Sequence, residues 1–223
     1  MYTKRFLKCL LFLALFTSLT ACKSKEDKAL ALIDKQMFSS LYDYESYQPV
    51  ETQIDSAFNC AEFNEGVITL AMIAADDFDE FNDENDEMQD ALRSMRLWSD
   101  SYSSYGRSEF RDAKEEAEEH LQNIKDLAKS LAQEMTGIRA QIDSLDNQFC
   151  GWKVTHKFRC KTKGGNSTLG TYIYIFDKDV KNILYKEDTE DEDLMKAKVI
   201  INEIAEMPDE SFAEFIQKFN FDE

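Results

Sequence analysis

Ten apolar residues fall in an unbroken 4-3-4-3-4-3-4-3-4 spacing: Ala117, Leu121, Ile124, Ala128, Leu131, Met135, Ile138, Ile142, Leu145 and Phe149. This is the heptad seam of a long helix, and the seam must be covered along its length. Glu115, Glu116, Glu118, Glu119, Lys125, Lys129 and Arg139 occupy the other faces. A helix from about Arg107 to Leu145 is about 60 Å long at 1.5 Å per residue. Gly137 inside it costs up to about 1 kcal/mol relative to Ala.

A single helix cannot bury its own seam. The stretch 50–102 offers a partner, with Pro49 opening a helix and Glu51 in its first turn. Ile54, Phe58, Ala61, Ile68, Met72 and Ala75 form its stripe. Asp76 to Glu87 then reads as a helix end, an acidic corner and a new helix start, with Phe78 and Phe81 facing inward. No register of this acidic run supplies the central Gly of a calcium loop with the other ligands. Met88, Leu92, Met95 and Tyr102 continue the stripe beside Trp98, and Gly106 is the expected terminator. The expectation is an antiparallel helical hairpin or three-helix bundle. Short structured flanks favour this over an intermolecular coiled coil, and a monomer is expected.

At Trp152 the apolar period changes from 3.5 to 2. Trp152, Val154, His156, Phe158 and Cys160 share one face, while Lys153, Thr155, Lys157, Arg159 and Lys161 share the other. Thr162 to Ser167 reads as a hairpin loop, Leu169 to Phe176 as a second strand, and 182–185 as a third. Helices are expected around Leu194 to Ala205 and, after Pro208, along Phe212, Phe215, Ile216 and Phe219. A short helix is expected over Ala29 to Phe38, followed by a connector rich in tyrosine at Tyr42, Tyr44 and Tyr47. The 7 glycines and 2 prolines suit long helices better than a many-stranded sandwich. The fold class expected is α+β: the helical region over 29–149, then a small three-stranded antiparallel sheet with C-terminal helices over 150–223.

The segment Gly151 to Lys163, its Gly-rich loop, the aromatic strand and Phe176-Asp177-Lys178-Asp179 resemble a segment of small uncharacterised lipoproteins of Bacteroidota-type bacteria. The resemblance covers less than a fifth of the chain. It implies a cell-envelope compartment and α+β character, and it carries no activity.

The N-terminus fits that compartment. Lys4, Arg5 and Lys8 precede an apolar run from Cys9 to Phe16, about half of what a membrane-spanning helix needs. Leu19-Thr20-Ala21-Cys22 resembles the bacterial lipobox, which implies a signal peptide over 1–21 and lipidation of Cys22 by acyl chains such as palmitate. The alternative is an ordinary signal peptide cut after Ala21. Residues 22–28 read as a charged tether, similar to a surface-export signal in the same bacteria. Removing residues 1–21 takes away three basic residues and no acid, which moves the net charge from −18 to −21. Nucleic acid and anionic lipid surfaces repel such a chain. Of the five cysteines, Cys60, Cys150 and Cys160 remain, so one disulfide at most can form among them.

Motifs for catalysis are missing from the sequence. There is no Gly-x-Ser-x-Gly elbow, no phosphate loop after Gly164-Gly165, no cysteine knuckle, and no second Glu/His pair to join Glu116 and His120, which are four residues apart. No cofactor or metal is expected. His156, on the apolar strand face, reads as a core histidine. Asn147 to Phe176 contains no acid, yet it holds Lys153, Lys157, Arg159, Lys161 and Lys163. These five are the candidate anion-binding residues; their charge is met by acids of the same chain or by an external anion. The function expected is a lipid-anchored binding or structural module for an envelope protein or an acidic glycan. The alternative is a carboxylate-dependent hydrolase of an envelope or glycan substrate.

Overall fold

The computed structural model describes residues 24–219. The expected signal peptide over 1–21 and the expected lipidation site Cys22 lie outside the described residues. In order the chain forms α1 (Lys25–Ser40), β1 (Gln48–Phe58), α2 (Glu65–Trp98), α3 (Ser104–Ser144), β2 (Phe149–Lys161), β3 (Ser167–Asp177), β4 (Ile183–Asp188), α4 (Glu192–Glu206) and α5 (Asp209–Gln217). Short 3-10 turns at Tyr44–Ser46 and Ala61–Phe63 flank β1. The class is α+β, with one antiparallel sheet in the order β1-β2-β3-β4.

Four helix starts are set by side-chain caps. Ser24 and Asp27 form a reciprocal capping box at α1, so helix begins at Lys25 within the stretch expected to be tether. Asn64 Oδ1 accepts from the Val67 amide at 3.1 Å, Ser103 Oγ from the Gly106 amide at 2.9 Å and Asp191 Oδ1 from the Leu194 amide at 3.0 Å. Gly106 therefore sits in the first turn of α3 and does not end a helix.

α2 and α3 are 34 and 41 residues long. They run antiparallel: Gly66 lies by Gln141, Leu70 by Gly137, Glu84 by His120 and Trp98 by Tyr105. The expected break at Asp76 to Glu87 does not occur, and α2 passes straight through it. The run contains neither Gly nor Pro, and Asp76, Asp79, Glu80, Asp83, Asp86 and Glu87 are exposed while Ala71, Ala74, Ala75, Phe78 and Phe81 keep a continuous inner stripe. Along α3 the seam residues Ala117, Ile124, Ala128, Leu131, Met135 and Ile138 are buried, Leu121 is 40 % exposed, and Phe149 already belongs to β2.

The helix expected from Pro49 is instead the edge strand β1, which makes the sheet four-stranded. An edge position tolerates Pro49 because its missing amide hydrogen faces no partner. Val50, Thr52 and Ile54 alternate with Glu51, Gln53 and Asp55, a period of 2 that the apolar 4-3 spacing masks. A boundary at 149/150 thus cuts across a sheet that draws its first strand from before the long helices.

There are two cores. One joins α2, α3 and α4 through Val67, Ile68, Ala71, Leu131, Met135, Ile138, Ala197 and Ile201, with Phe212, Phe215 and Ile216 of α5 against it. Arg139 fixes this corner by donating to the carbonyls of Ile204 and Met207 at 2.7 and 2.8 Å, which satisfies helix-end acceptors, and to Asp209 at 2.6 Å. The other core lies between α1 and one sheet face, with Ala29, Ile33 and Met37 on Val154, Phe158, Tyr174 and Phe176. The opposite sheet face meets the helices at one end only, where Lys198 of α4 binds Glu187 of β4 at 2.7 Å.

Candidate functional site

Four of the five candidate basic residues, Lys153, Lys157, Arg159 and Lys161, lie on the sheet face away from α1, but the register divides them. Lys153 stands opposite Asp55 of β1 and Ile175 of β3, and Lys157 opposite Glu51 and Thr171. Directly opposed side chains have Cβ atoms about 5 Å apart, so these two lysines have acids of the same sheet at hand. Lys153 is half-buried, with its Nζ 5.9 Å from the Phe63 ring centroid. Lys157, Glu51, Gln53, Thr155 and Thr171 line a small cavity of about 280 Å³.

Arg159 faces Gln48 on one side and Leu169 on the other, and Lys161 faces Ser167. Neither has an acid across the ladder. Lys163 lies in the turn that Thr162 and Asn166 close, where Gly165 adopts φ +80°. All three side chains are exposed. The Lys161 amide donates to Ser46 Oγ at 2.8 Å, tying this corner to the 3-10 turn before β1. Asp43, which precedes that turn, lies near Cys160 on the α1 side and, after burial, helps raise its thiol pKa. The structure thus brings Arg159, Lys161 and Lys163 together as a corner and separates Lys153 and Lys157 from it.

His156 is fully buried, as expected of a core histidine. Tyr47 Oη lies 2.7 Å from its Nε2 and Thr52 Oγ1 2.8 Å from its Nδ1, so both ring nitrogens are engaged. Burial lowers its pKa and keeps the ring neutral near pH 7. Burial, with Asp34 nearby, pushes the Tyr47 hydroxyl up to about 12. Tyr47 and Thr52 also border a groove of about 490 Å³ between α1 and β1, with Glu26, Asp34 and Glu51 on its rim. Asp34 accepts from Tyr44 Oη at 2.6 Å.

His120 pairs across the helical hairpin with Glu84 at 2.7 Å, not with Glu116 on its own helix. Asn123 donates to the same carboxylate at 3.1 Å. The hairpin tip is a further surface that the sequence reading missed. Leu97, Tyr102 and Tyr105 are 74, 94 and 63 % exposed there, beside Arg93, Arg96, Arg107 and Arg111. The arginines come from two stretches that only the hairpin turn brings together.

Among the described residues, no group of three or more His, Cys, Asp or Glu is placed to hold a metal ion, and no helix is long and apolar enough to cross a membrane. Compared with family models, curated proteins and solved structures, the chain gives no match. Any functional reading therefore rests on the chain's own residues.

Proposed function

We propose that the chain is a lipid-anchored module of the bacterial cell envelope, held at Cys22, that binds an anionic partner at the Arg159, Lys161 and Lys163 corner. One observation carries this reading. In a chain of formal net charge −18, the exposed Arg159 and Lys161 have no acid across the strand ladder, and Lys163 follows them in the turn. Unshared like charges so close repel, and an outside anion relieves that repulsion. The partner is an acidic envelope protein or an acidic glycan. Contacts at so exposed a corner are held mainly by charge and weaken as salt rises. The protein acts as a monomer in this reading.

A carboxylate-dependent hydrolase is the second reading, and the groove with Glu26, Asp34 and Glu51 is what favours it.

One experiment separates them. The fragment from Lys23 onward is titrated with a polyuronic acid at low and moderate salt, beside the Arg159→Gln, Lys161→Gln, Lys163→Gln triple variant. A binding module shows salt-sensitive binding, a loss of at least tenfold in the variant, an unchanged Tm, and no reducing sugar released. An unchanged affinity in the variant removes the corner from the proposal. Release of sugar that Asp34→Asn or Glu51→Gln abolishes establishes the hydrolase. The anchor is tested in the full chain. Cys22→Ser is expected to leave washed membranes or to stall in maturation.

A further inference from the structure

The three described cysteines are thiols, but they are not equivalent. The β1–β2 register slips near their shared end: Ala57 faces Gly151 while Phe58 faces Phe149. Cys150 is the extra residue, left without a ladder partner in a β-bulge. The strands stay joined one position further on, where the Asn59 amide donates to the Gln148 carbonyl at 2.8 Å. Cys60 follows at once, its amide folded back onto the Phe58 carbonyl at 2.9 Å. The two cysteines thus flank the same end of the same strand pair. Along the ladder they are offset by three positions, about 11 Å between Cα atoms for straight strands at about 3.3 Å per residue and about 5 Å across, and the bulge and the fold-back of Cys60 both shorten that span. A disulfide needs about 7 Å or less, so the bond forms when this strand end closes by a few ångströms.

Both residues are half-buried, and neither is sealed in. Cys60 lines an open cavity of about 410 Å³ with Asn59, Ala61, Ile142 and Leu145. Burial raises the pKa of its thiol, and neighbouring Glu62 and Cys150 add to that direction. Cys160 is elsewhere. It lies ten residues along β2 from Cys150, about 33 Å away at strand rise, and it is buried at 8 % exposure in the core beneath α1.

We propose that Cys60 and Cys150 form a thiol–disulfide pair, oxidised by a small-molecule disulfide to an intramolecular bond that locks the base of the helical hairpin to the end of the sheet. One thiolate attacks the small disulfide and releases one small thiolate. The second cysteine thiolate then attacks the protein sulfur of the mixed disulfide and releases the other. One Sγ–Sγ bond forms and one is consumed; the protein loses two hydrogens, and the reagent gains them as two thiols. The bond closes a loop that contains all of α2 and α3, so it restricts the unfolded chain strongly.

The test uses the full chain, purified in detergent and incubated at pH 8.5 with oxidised glutathione. It is then alkylated after denaturation in acid and mapped by peptide mass. The expected product is a Cys60 peptide linked to a Cys150 peptide within one molecule, with Cys160 alkylated. The oxidised protein is expected to melt several degrees above the reduced protein, and Cys150→Ser to abolish that shift while leaving the reduced Tm in place. A linked pair containing Cys160, a cross-link only between molecules, or glutathione adducts retained on both Cys60 and Cys150 each overturns the proposal. So does an intramolecular Cys60–Cys150 bond that leaves the Tm unmoved, since the bond would then lock nothing.

Discussion

His120 and Glu84 show how two residues from different helices set a pH response. The Glu84 carboxylate holds the His120 ring above its ordinary value of 6.5, chiefly through their hydrogen bond and against some desolvation. The same contact, with Asn123 adding a donor, holds Glu84 below its ordinary 4.5. The two shifts act on opposite sides. The raised His120 stabilises fully below pH 6.5, and its contribution fades as pH rises through the folded value. The lowered Glu84 stabilises fully above pH 4.5, and its contribution fades as pH falls through the folded value. Glu87 and Glu119 also favour the charged ring. Glu134, raised by burial with Asp77 beside it, contributes a loss that starts above pH 4.5 and is complete once pH passes its folded value. The Tm is therefore expected to be higher at pH 6 than at pH 8, and His120→Gln to reduce that difference. An equal difference in the variant would place the response elsewhere. His156 is legible as a core residue because it falls on the apolar face of an alternating strand. Its partners Tyr47 and Thr52 are not, since they lie more than a hundred positions away in sequence.

At the scale of the element, the α3 seam was readable because its period is long and its caps are local, but the depth of burial along it was not. Leu131 is fully buried among Val67, Ala71, Met135 and Ile201, whereas Leu121 is 40 % exposed on the part of the hairpin that no third helix covers. Leu131→Ala is expected to cost about 2–5 kcal/mol by loss of transfer energy and creation of a cavity. Leu121→Ala is expected to cost less than about 1 kcal/mol. Equal losses by denaturant titration would mean that the distal seam is covered in solution. β1 escaped the sequence reading for a physical reason. An edge strand is polar and half exposed, so its apolar residues are few, and Ile54, Phe58 and Ala61 chance on helical spacing. The run from Asp76 to Glu87 reads as a corner because its acids dominate, yet charge alone does not end a helix while Phe78 and Phe81 keep the stripe. The basic corner was half legible: alternation puts Lys153, Lys157, Arg159 and Lys161 on one face with Lys163 in the turn that follows, and only the register with β1 tells which ones meet Asp55 and Glu51.

On the scale of the molecule, the two cores sit together at one end and the helical hairpin extends beyond both. α4 and α5 cover α2 through Phe81 and α3 from Leu131 onward, with Lys196 bound to Asp79 at 2.6 Å and Phe78 against Phe219. Past that point, among the described residues, α2 and α3 have only each other, and the fully buried contacts are small: Ala91, Ala113 and Ala117, with Ile124 nearer the base, while Met88, Leu92, Met95, Trp98 and Phe110 are half-buried. Small contacts bury little apolar area, so the distal arm contributes little to holding the base together. It carries the exposed Leu97, Tyr102 and Tyr105 outward instead. Replacing residues 86–117 with a short Gly-rich turn keeps Glu84, His120 and Asn123 and leaves both cores whole. The shortened protein is expected to lose helical signal in proportion to the excised residues, to unfold in one cooperative transition, and to bind polyuronic acid through Arg159, Lys161 and Lys163 as the full fragment does. A broad, non-cooperative melt would show that the arm nucleates the base. Weakened polyanion binding with an intact melt would move the anion contact from the sheet corner to the four arginines of the tip.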